Sequence, residues 1–311
     1  THLSSRDFLN QVKRIGCAIS GHSADLAPAE GKFYSLRDVT GTVPSIPLIC
    51  SSIVSKKIAG GADAFVFDVK CGSGAFMQDY ESAETLANGL VSLSNSLGKK
   101  AMALITDMAQ PLGEWVGNAV EVLEAVRVLQ GGGPEDVLEV AVALAGAMVS
   151  LGKGISFDDG CILARQKIDD GSALEKMKEL VEAQGGRGDV CGNPCDVLQI
   201  APESFVVNAG RGGRVERIEA RSIGEGVKRL GGGRMELGEP IDLAVGVRLL
   251  AKRGCCVKAG APLLEIRYTN GEKLESALPY FEKAFSVADT NCDSSRNGEE
   301  GKRSFVLGKV E

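Results

Sequence analysis

Residues 37–77 read RDVTGTVPSIPLICSSIVSKKIAGGADAFVFDVKCGSGAFM, and this stretch decides the predicted fold. Apolar residues at helical spacing predict a helix over 48–59, entered through Pro47, whose missing N–H is not needed in a first turn. A glycine pair then ends the helix. The nearly continuous apolar run at 62–69 predicts a short strand buried on both faces, as in a parallel sheet.

A glycine-rich loop, Lys70–Gly74, follows this strand at its carboxyl end, where open α/β sheets bind ligands. Similar patterns predict further strands and helices on both sides of it. Strands are predicted over 17–19 and 101–106, and helices over 5–15, 81–97, 118–130 and 134–151. Helices that alternate with buried strands indicate the α/β class.

The composition changes at 185–202, a stretch rich in Gly, Pro and Asp that we interpret as a connector. Beyond it the strand signal rises. Strands are predicted over 203–209, 213–219 and 304–310, short strands with glycine turns over 245–268, and a last amphipathic helix over 272–287. The 245–268 region resembles the hammerhead β-module of biotinyl and lipoyl domains.

Composition narrows the function classes. The length of 311 residues is enough for roughly two domains. A hydrophobic content of 44% is ordinary for a globular protein and sufficient for a packed core. A formal charge of −6 argues against non-specific nucleic-acid binding, and no apolar run approaches the ~20 residues of a membrane span. The nine cysteines lack close-set framework spacing, so we expect reduced thiols and a cytoplasmic location. The spacing of Cys191 and Cys195 and the adjacent pair Cys255 and Cys256 leave a metal site or a disulfide as the alternative.

Three polar residues in the opening stretch suit one kind of chemistry. Ser52 and Lys56 lie one turn apart on the predicted helix, and Arg37 offers a planar fork of donors on the loop before it. Such a set suits a flat molecule with two carbonyl oxygens that gains negative charge, as a pyrimidine does on leaving a sugar. These residue types also occur together by chance, so a structural role stays open. The two histidines, His2 and His22, give little support to a histidine mechanism.

Three long segments resemble the pyrimidine-nucleoside (thymidine) phosphorylase family in the same order. They are LAPAEGKFYSLRDVTGTVPSIPLICSSIVSKKIAGGADAFVFDVKCGSGAFM at 26–77, LITDMAQPLGEWVGNAVEVLEAVRVLQGG at 104–132, and LGGGR followed by PIDLAVGVRLLAKRGCCVKAGAPLLEI within 230–266. The similarity covers nearly the whole chain.

The resemblance implies a domain plan. A central mixed, mainly parallel sheet flanked by helices forms an α/β domain from residues 1–20 and 63–195. Residues 21–62 are a remnant of a helical domain, with hinges near 21–28 and 60–62. Residues 200–311 form a C-terminal, β-rich, hammerhead-like α+β domain. The full-length protein is expected to be a homodimer.

The resemblance also implies site residues. The family's base-binding arginine, serine and lysine fall on Arg37, Ser52 and Lys56, with Arg37 and Lys56 in the catalytic role. Tyr34 falls on a tyrosine that lines the base pocket, and Phe76 on an apolar pocket position.

A potassium ion is implied as well, because some bacterial members hold one through two loop carbonyls and a glutamate. Those positions match Leu112, Trp115 and Glu124; Trp115 replaces a small residue, but a backbone carbonyl serves from any side chain. From the residues alone, Glu124 belongs to a charged helix face open to solvent. Phosphate is the implied co-substrate, and no organic cofactor is expected.

The implied reaction is reversible phosphorolysis of thymidine, with uridine or deoxyuridine as further substrates, to free base and (deoxy)ribose 1-phosphate. The chain begins at Thr1, and the family's phosphate loop lies before that point, so we expect this piece to carry the base half and to be inactive alone.

Four alternatives remain open: a related nucleotide phosphorylase, a phosphoribosyltransferase of similar fold, a non-catalytic pyrimidine-binding homologue, and a carrier module. The C-terminal β-module argues against the phosphoribosyltransferase, and the lack of a Met-Lys-Met hairpin argues against the carrier.

Overall fold

A computed structural model describes residues 3–21, 29, 36–37, 40–42, 44–236, 238–289 and 304–311. Tyr34 and all but the first residue of the hinge expected at 21–28 lie outside these residues.

The described helices follow the predicted order closely. They are α1 Ser5–Ile15, α2 Ile46–Ala59, α3 Tyr80–Ser96, α4 Ala119–Leu129, α5 Glu135–Lys153, α6 Phe157–Asp169, α7 Ser172–Ala183, α8 Pro194–Val197, α9 Ala220–Val227 and α10 Gly271–Glu282. A 3₁₀ turn covers Gly188–Cys191 and a π turn covers Lys228–Gly232.

The described strands fall into three sheets. They are β1 Ala64–Cys71, β2 Lys100–Asp107, β3 Trp115–Gly117, β4 Glu203–Asn208, β5 Gly213–Ile218, β6 Gly246–Leu249, β7 Cys256–Val257, β8 Pro262–Tyr268, β9 Phe285–Ala288 and β10 Val306–Val310. The sheet orders are β1-β2-β10, β3-β6-β8-β4 and β7-β5-β9.

The first sheet is mixed, as expected. β1 and β2 pair in parallel from Ala64 opposite Lys100 to Cys71 opposite Asp107, and β10 returns antiparallel to β2. Side chains of β2 alternate between two buried layers, because successive residues of a strand point to opposite faces. Ala103 and Ile105 pack with α2 and α3, whereas Leu104 packs with α5. β2 is therefore the buried centre of the α/β unit.

The C-terminal unit has its own core. Its two sheets close around α9 and α10, with Phe281, Ile266 and Ile218 all at 0% exposure. β4 and β5, which are consecutive in the chain, enter different sheets rather than pairing with each other. This unit is β-rich with two helices, in agreement with the expected α+β class.

Two strands cross the expected domain boundaries. β3, from the stretch assigned to the α/β domain, pairs with β6 of the C-terminal sheet. β10, from the stretch assigned to the C-terminal domain, pairs with β2. The predicted boundaries at 195 and 200 therefore place β3 and β10 in the wrong units. Because each unit contributes a strand to a sheet of the other, the two units are joined by backbone hydrogen bonds.

Other local predictions differ from the structure. Residues 17–19 form no strand, because the side chain of Gln184 occupies the backbone groups of Ile19. Ile19 N donates to the Gln184 Oε1 at 2.8 Å, and the Gln184 Nε2 donates to the Ile19 carbonyl at 2.7 Å. The last predicted helix ends at Glu282, and Phe285–Ala288 pairs with β5 instead. The expectation of reduced thiols is wrong for Cys256, which is disulfide-bonded.

Within the described ranges, no single helix has both the length and the apolar character needed to cross a membrane. The helices α5 and α6, bent by 117° at their break, pass that test only as a pair.

Candidate functional site

One cavity of about 890 Å³ lies between α2, the outer edge of β1, the loop after β1 and the start of α9. Four sequence-predicted site residues line it: Arg37, Ser52, Lys56 and Phe76. Its other lining residues are Ile49, Ile53, Lys57, Val66, Phe67, Asp68, Val69, Lys70, Gly74, Ala75, Met77, Leu86, Leu90, Met108 and Arg221.

Helix α2 presents the serine and the lysine. Cys50 and Val54 are buried in the core shared with α3, which turns the opposite side of the helix toward the cavity. There the Lys56 Nζ donates to the Ser52 Oγ at 3.2 Å, as the four-residue spacing predicts. The hydroxyl thereby fixes the position of the ammonium group at the cavity wall.

Arg37 reaches the same cavity from the preceding loop and is only 7% exposed. Its Nη1 donates to the Leu48 carbonyl in the first turn of α2 at 3.3 Å, and its own carbonyl accepts from Thr42 N at 3.2 Å. The first bond holds the guanidinium and the second holds the backbone of the same residue, so the side chain keeps a defined direction, which suits recognition of a planar group.

The loop after β1, residues 72–77, forms another wall of the cavity, which we call the glycine wall. Gly72 N donates to the Met77 carbonyl and Gly74 N to the Met108 carbonyl, each at 3.0 Å. Gly72 has φ +135°, and a Cβ there would lie 2.4 Å from Ala109 N. Glycine is required because two backbone segments meet at this point. Phe76, at the loop's end, lines the cavity while 77% exposed.

Sequence reasoning missed a polar triad on the sheet. The Lys70 Nζ lies 2.6 Å from the Asp68 Oδ2 and donates to the Thr106 Oγ1 at 3.0 Å, while Thr106 donates to the Asp68 Oδ1 at 2.6 Å. Asp68 and Lys70 alternate within an apolar strand, so they share one face. That break in the apolar run was the available signal.

Arg221, at the start of α9, was also missed, because nothing in the sequence places the C-terminal unit beside β1. With it, five basic side chains and one carboxylate line the cavity. The carboxylate, Asp68, is already paired with Lys70. The cavity therefore favours anions and groups that gain negative charge.

Glu124 is not on a solvated face. It is 6% exposed, and its Oε1 accepts from Glu114 N at 2.8 Å and Trp115 N at 3.2 Å. Burial raises the pKa of Glu124, and the neighbouring Asp136 and Glu114 raise it further. A carboxylate in this setting gains from a nearby cation.

The three residues implied for potassium lie close together around one loop. Leu112 and Trp115 lie on the loop that Glu124 braces, and the Glu124 Oε2 lies against Gly113, where a Cβ would come within 2.0 Å of it. No hydrogen bond to Oε2 is found among the described residues, so this oxygen has capacity to spare. Carbonyl and carboxylate oxygens are the donors that such a cation prefers, so the residues fit the ion.

Two family models match the chain. The glycosyl transferase family a/b domain matches residues 2–174, and the pyrimidine nucleoside phosphorylase C-terminal domain matches residues 214–288. The first match contains Arg37, Ser52, Lys56 and Phe76, and the second contains Arg221. Both matched regions therefore contribute to the same cavity.

Curated relatives carry a consistent name. The pyrimidine-nucleoside phosphorylase of Staphylococcus haemolyticus (strain JCSC1435) is 43% identical over 286 residues, which is 92% of this chain and 66% of the relative. That of Bacillus subtilis (strain 168) is 44% identical over 277 residues, 89% of this chain and 64% of the relative. The chain thus spans slightly less than two thirds of the length of these relatives.

Proposed function

Because the chain belongs to the pyrimidine-nucleoside phosphorylase family of glycosyl transferases, we propose that it contributes the base-binding part of a site for reversible phosphorolysis of pyrimidine nucleosides. Thymidine and uridine are the proposed nucleosides and inorganic phosphate is the co-substrate. The observation that carries the proposal is the convergence of Arg37, Ser52 and Lys56 on one cavity rich in positive charge.

In the proposed reaction a phosphate oxygen bonds to C1′ of the sugar while the bond from C1′ to the base nitrogen breaks. The electron pair of that bond leaves with the base, whose two carbonyl oxygens share the negative charge. Arg37 and Lys56 would lie against those oxygens and lower the energy of the departing anion. Ser52, fixed against Lys56, would orient the ring.

The test of this proposal is titration of the 311-residue chain with uracil, thymine and adenine by calorimetry. We expect both pyrimidines to bind and adenine to bind at least tenfold more weakly, because the donors are placed for two carbonyl oxygens. Lys56→Met should weaken pyrimidine binding, whereas Lys13→Met, on the exposed side of α1, should not. Equal binding of adenine, or no binding of either pyrimidine, would contradict the proposal.

Potassium is proposed as a structural ion of the loop 112–115, held by the carbonyls of Leu112 and Trp115 and by Glu124. When bound it would supply a positive charge beside a buried carboxylate. We expect potassium chloride to raise the Tm by about 3 °C over choline chloride at equal ionic strength, since only the folded chain offers the site.

The matched variants for potassium are Glu124→Gln and Glu121→Gln. Both glutamates lie on α4, accept a backbone N–H and have pKa values raised by burial, but only Glu124 contacts the loop. Glu124→Gln should abolish the potassium-dependent rise in Tm, and Glu121→Gln should keep it. A rise of the same size in Glu124→Gln would remove Glu124 from the proposed site.

A further inference from the structure

Lys252, in the loop between β6 and β7 of the C-terminal unit, binds three oxygens of the α/β unit. Its Nζ donates to the Pro111 carbonyl at 2.8 Å, to the Gly113 carbonyl, and to the Asp136 Oδ2 at 3.0 Å. An ammonium group has three N–H donors, and each has an acceptor here. We call these contacts the ammonium tripod.

The residues of the ammonium tripod are partly or fully buried. The Asp136 side chain is 5% exposed and that of Lys252 25%. Asp136 is also held by the chain around it, since its Oδ2 accepts from Gly113 N at 3.0 Å and its Oδ1 from Val137 N at 2.9 Å. A partly buried, fully satisfied pair of this kind is far more restrictive than an exposed ion pair.

The residue after Lys252 holds the same loop. Arg253 N donates to the Oε1 of Gln110 at 2.9 Å. Gln110 is only 9% exposed. Lys252 and Arg253 of the C-terminal unit therefore both form hydrogen bonds to the loop from Gln110 to Gly113. This loop cannot move without breaking contacts between the units.

This loop continues into the wall of the cavity. Met108 lines the cavity, its N–H donates to the Cys71 carbonyl at 2.6 Å, and its carbonyl accepts from Gly74 N. Gly74 and Phe76 are themselves lining residues. The two sets of hydrogen bonds, from Lys252 and Arg253 to residues 110–113 and from Met108 to the glycine wall, are thus joined by the short stretch of chain from Met108 to Gln110.

We propose that Lys252 is a positioning residue for the candidate site: its ammonium tripod fixes the loop that sets Met108 and the glycine wall in place. Through it the C-terminal unit controls the shape of a cavity whose proposed base-binding groups, Arg37, Ser52 and Lys56, belong to the other unit. The effect on ligand affinity rests on the proposed pyrimidine binding, whereas the effect on the loop does not.

The experiment compares Lys252→Met, which removes the charge, with Lys258→Met at an exposed lysine in the turn before β8. Amide exchange is followed in peptides that contain Gly113, the donor to Asp136, and Gly74, the donor to Met108. Uracil affinity is measured by calorimetry well below the Tm of each variant. Lys252→Arg retains the charge and serves as the conservative variant.

We expect Lys252→Met to speed exchange at both Gly113 and Gly74 and to weaken uracil binding about tenfold. Lys258→Met should leave both unchanged, and Lys252→Arg should restore part of the protection. A purely structural role predicts a lower Tm with normal exchange at Gly74 and normal uracil affinity, and that result would overturn the inference. If wild-type chain binds no uracil, the proposed function fails, while exchange at Gly74 still decides the role of Lys252.

Discussion

Replacing Arg37 with alanine is expected to lower kcat at least about a hundredfold in a preparation of the protein that releases pyrimidine from thymidine or uridine. Arg37 is 7% exposed and lines the cavity, so its charge would act on the departing base with little screening by water. Loss of one donor of this type typically costs ~3–4 kcal/mol of transition-state stabilisation, which supports a change of this size.

The controls separate this effect from damage to the fold. Arg37 also holds the Leu48 carbonyl, so Tm must be measured for each variant. Arg14→Ala, at an exposed arginine on α1, should leave kcat unchanged. Arg37→Lys should recover only part of the loss, because a lysine offers charge without the planar fork. If Arg37→Ala lowers kcat by less than about threefold, the loss of transition-state stabilisation is under ~1 kcal/mol. That result would contradict a catalytic role for Arg37.

Replacing Gly72 with alanine should destabilise the chain by about 3 kcal/mol and abolish pyrimidine binding. The residue has φ +135°, and the new Cβ would lie 2.4 Å from Ala109 N and 2.6 Å from the Met108 carbonyl carbon. Neither backbone segment has room to retreat, because Met108 N is hydrogen-bonded to the Cys71 carbonyl. The wall that carries Gly74 and Phe76 must therefore shift.

Gly98→Ala provides the matched comparison. Gly98 also has a positive φ, +73°, but nothing lies within 4 Å of the position its Cβ would take. Chemical denaturation should show a loss of about 1 kcal/mol for this variant, which carries backbone strain without a collision. Similar losses of stability for Gly72→Ala and Gly98→Ala would mean that the contact between the two loops is not rigid.

Local patterns predicted the centre of the fold well. The helix that carries Ser52 and Lys56 and the strand that follows it were readable because a proline, an apolar period and a glycine pair mark their limits. The pairing of Lys56 with Ser52 follows from helical spacing alone. These features depend on neighbours in the chain, which is where sequence patterns carry information.

Features that depend on distant segments were not readable. Burial of Glu124 comes from a loop that folds back over α4, so the charged helix pattern gave the wrong interpretation. Likewise, Arg221 and Lys252 of the C-terminal unit lie beside residues of the α/β unit that are far from them in the chain. The exchanged strands β3 and β10 are a further contact of this kind. Gln184 suppressed a predicted strand through a side chain far along the chain. In each case a tertiary contact decided between local options.

The most direct test of the central claim is a crystal structure of the chain with thymine bound. We predict that the two carbonyl oxygens of the ring lie within ~3 Å of the guanidinium of Arg37 and the ammonium of Lys56, with Ser52 beside the ring. Thymine bound against Lys70 and Arg221 instead, or outside the cavity altogether, would contradict the assignment of these three residues.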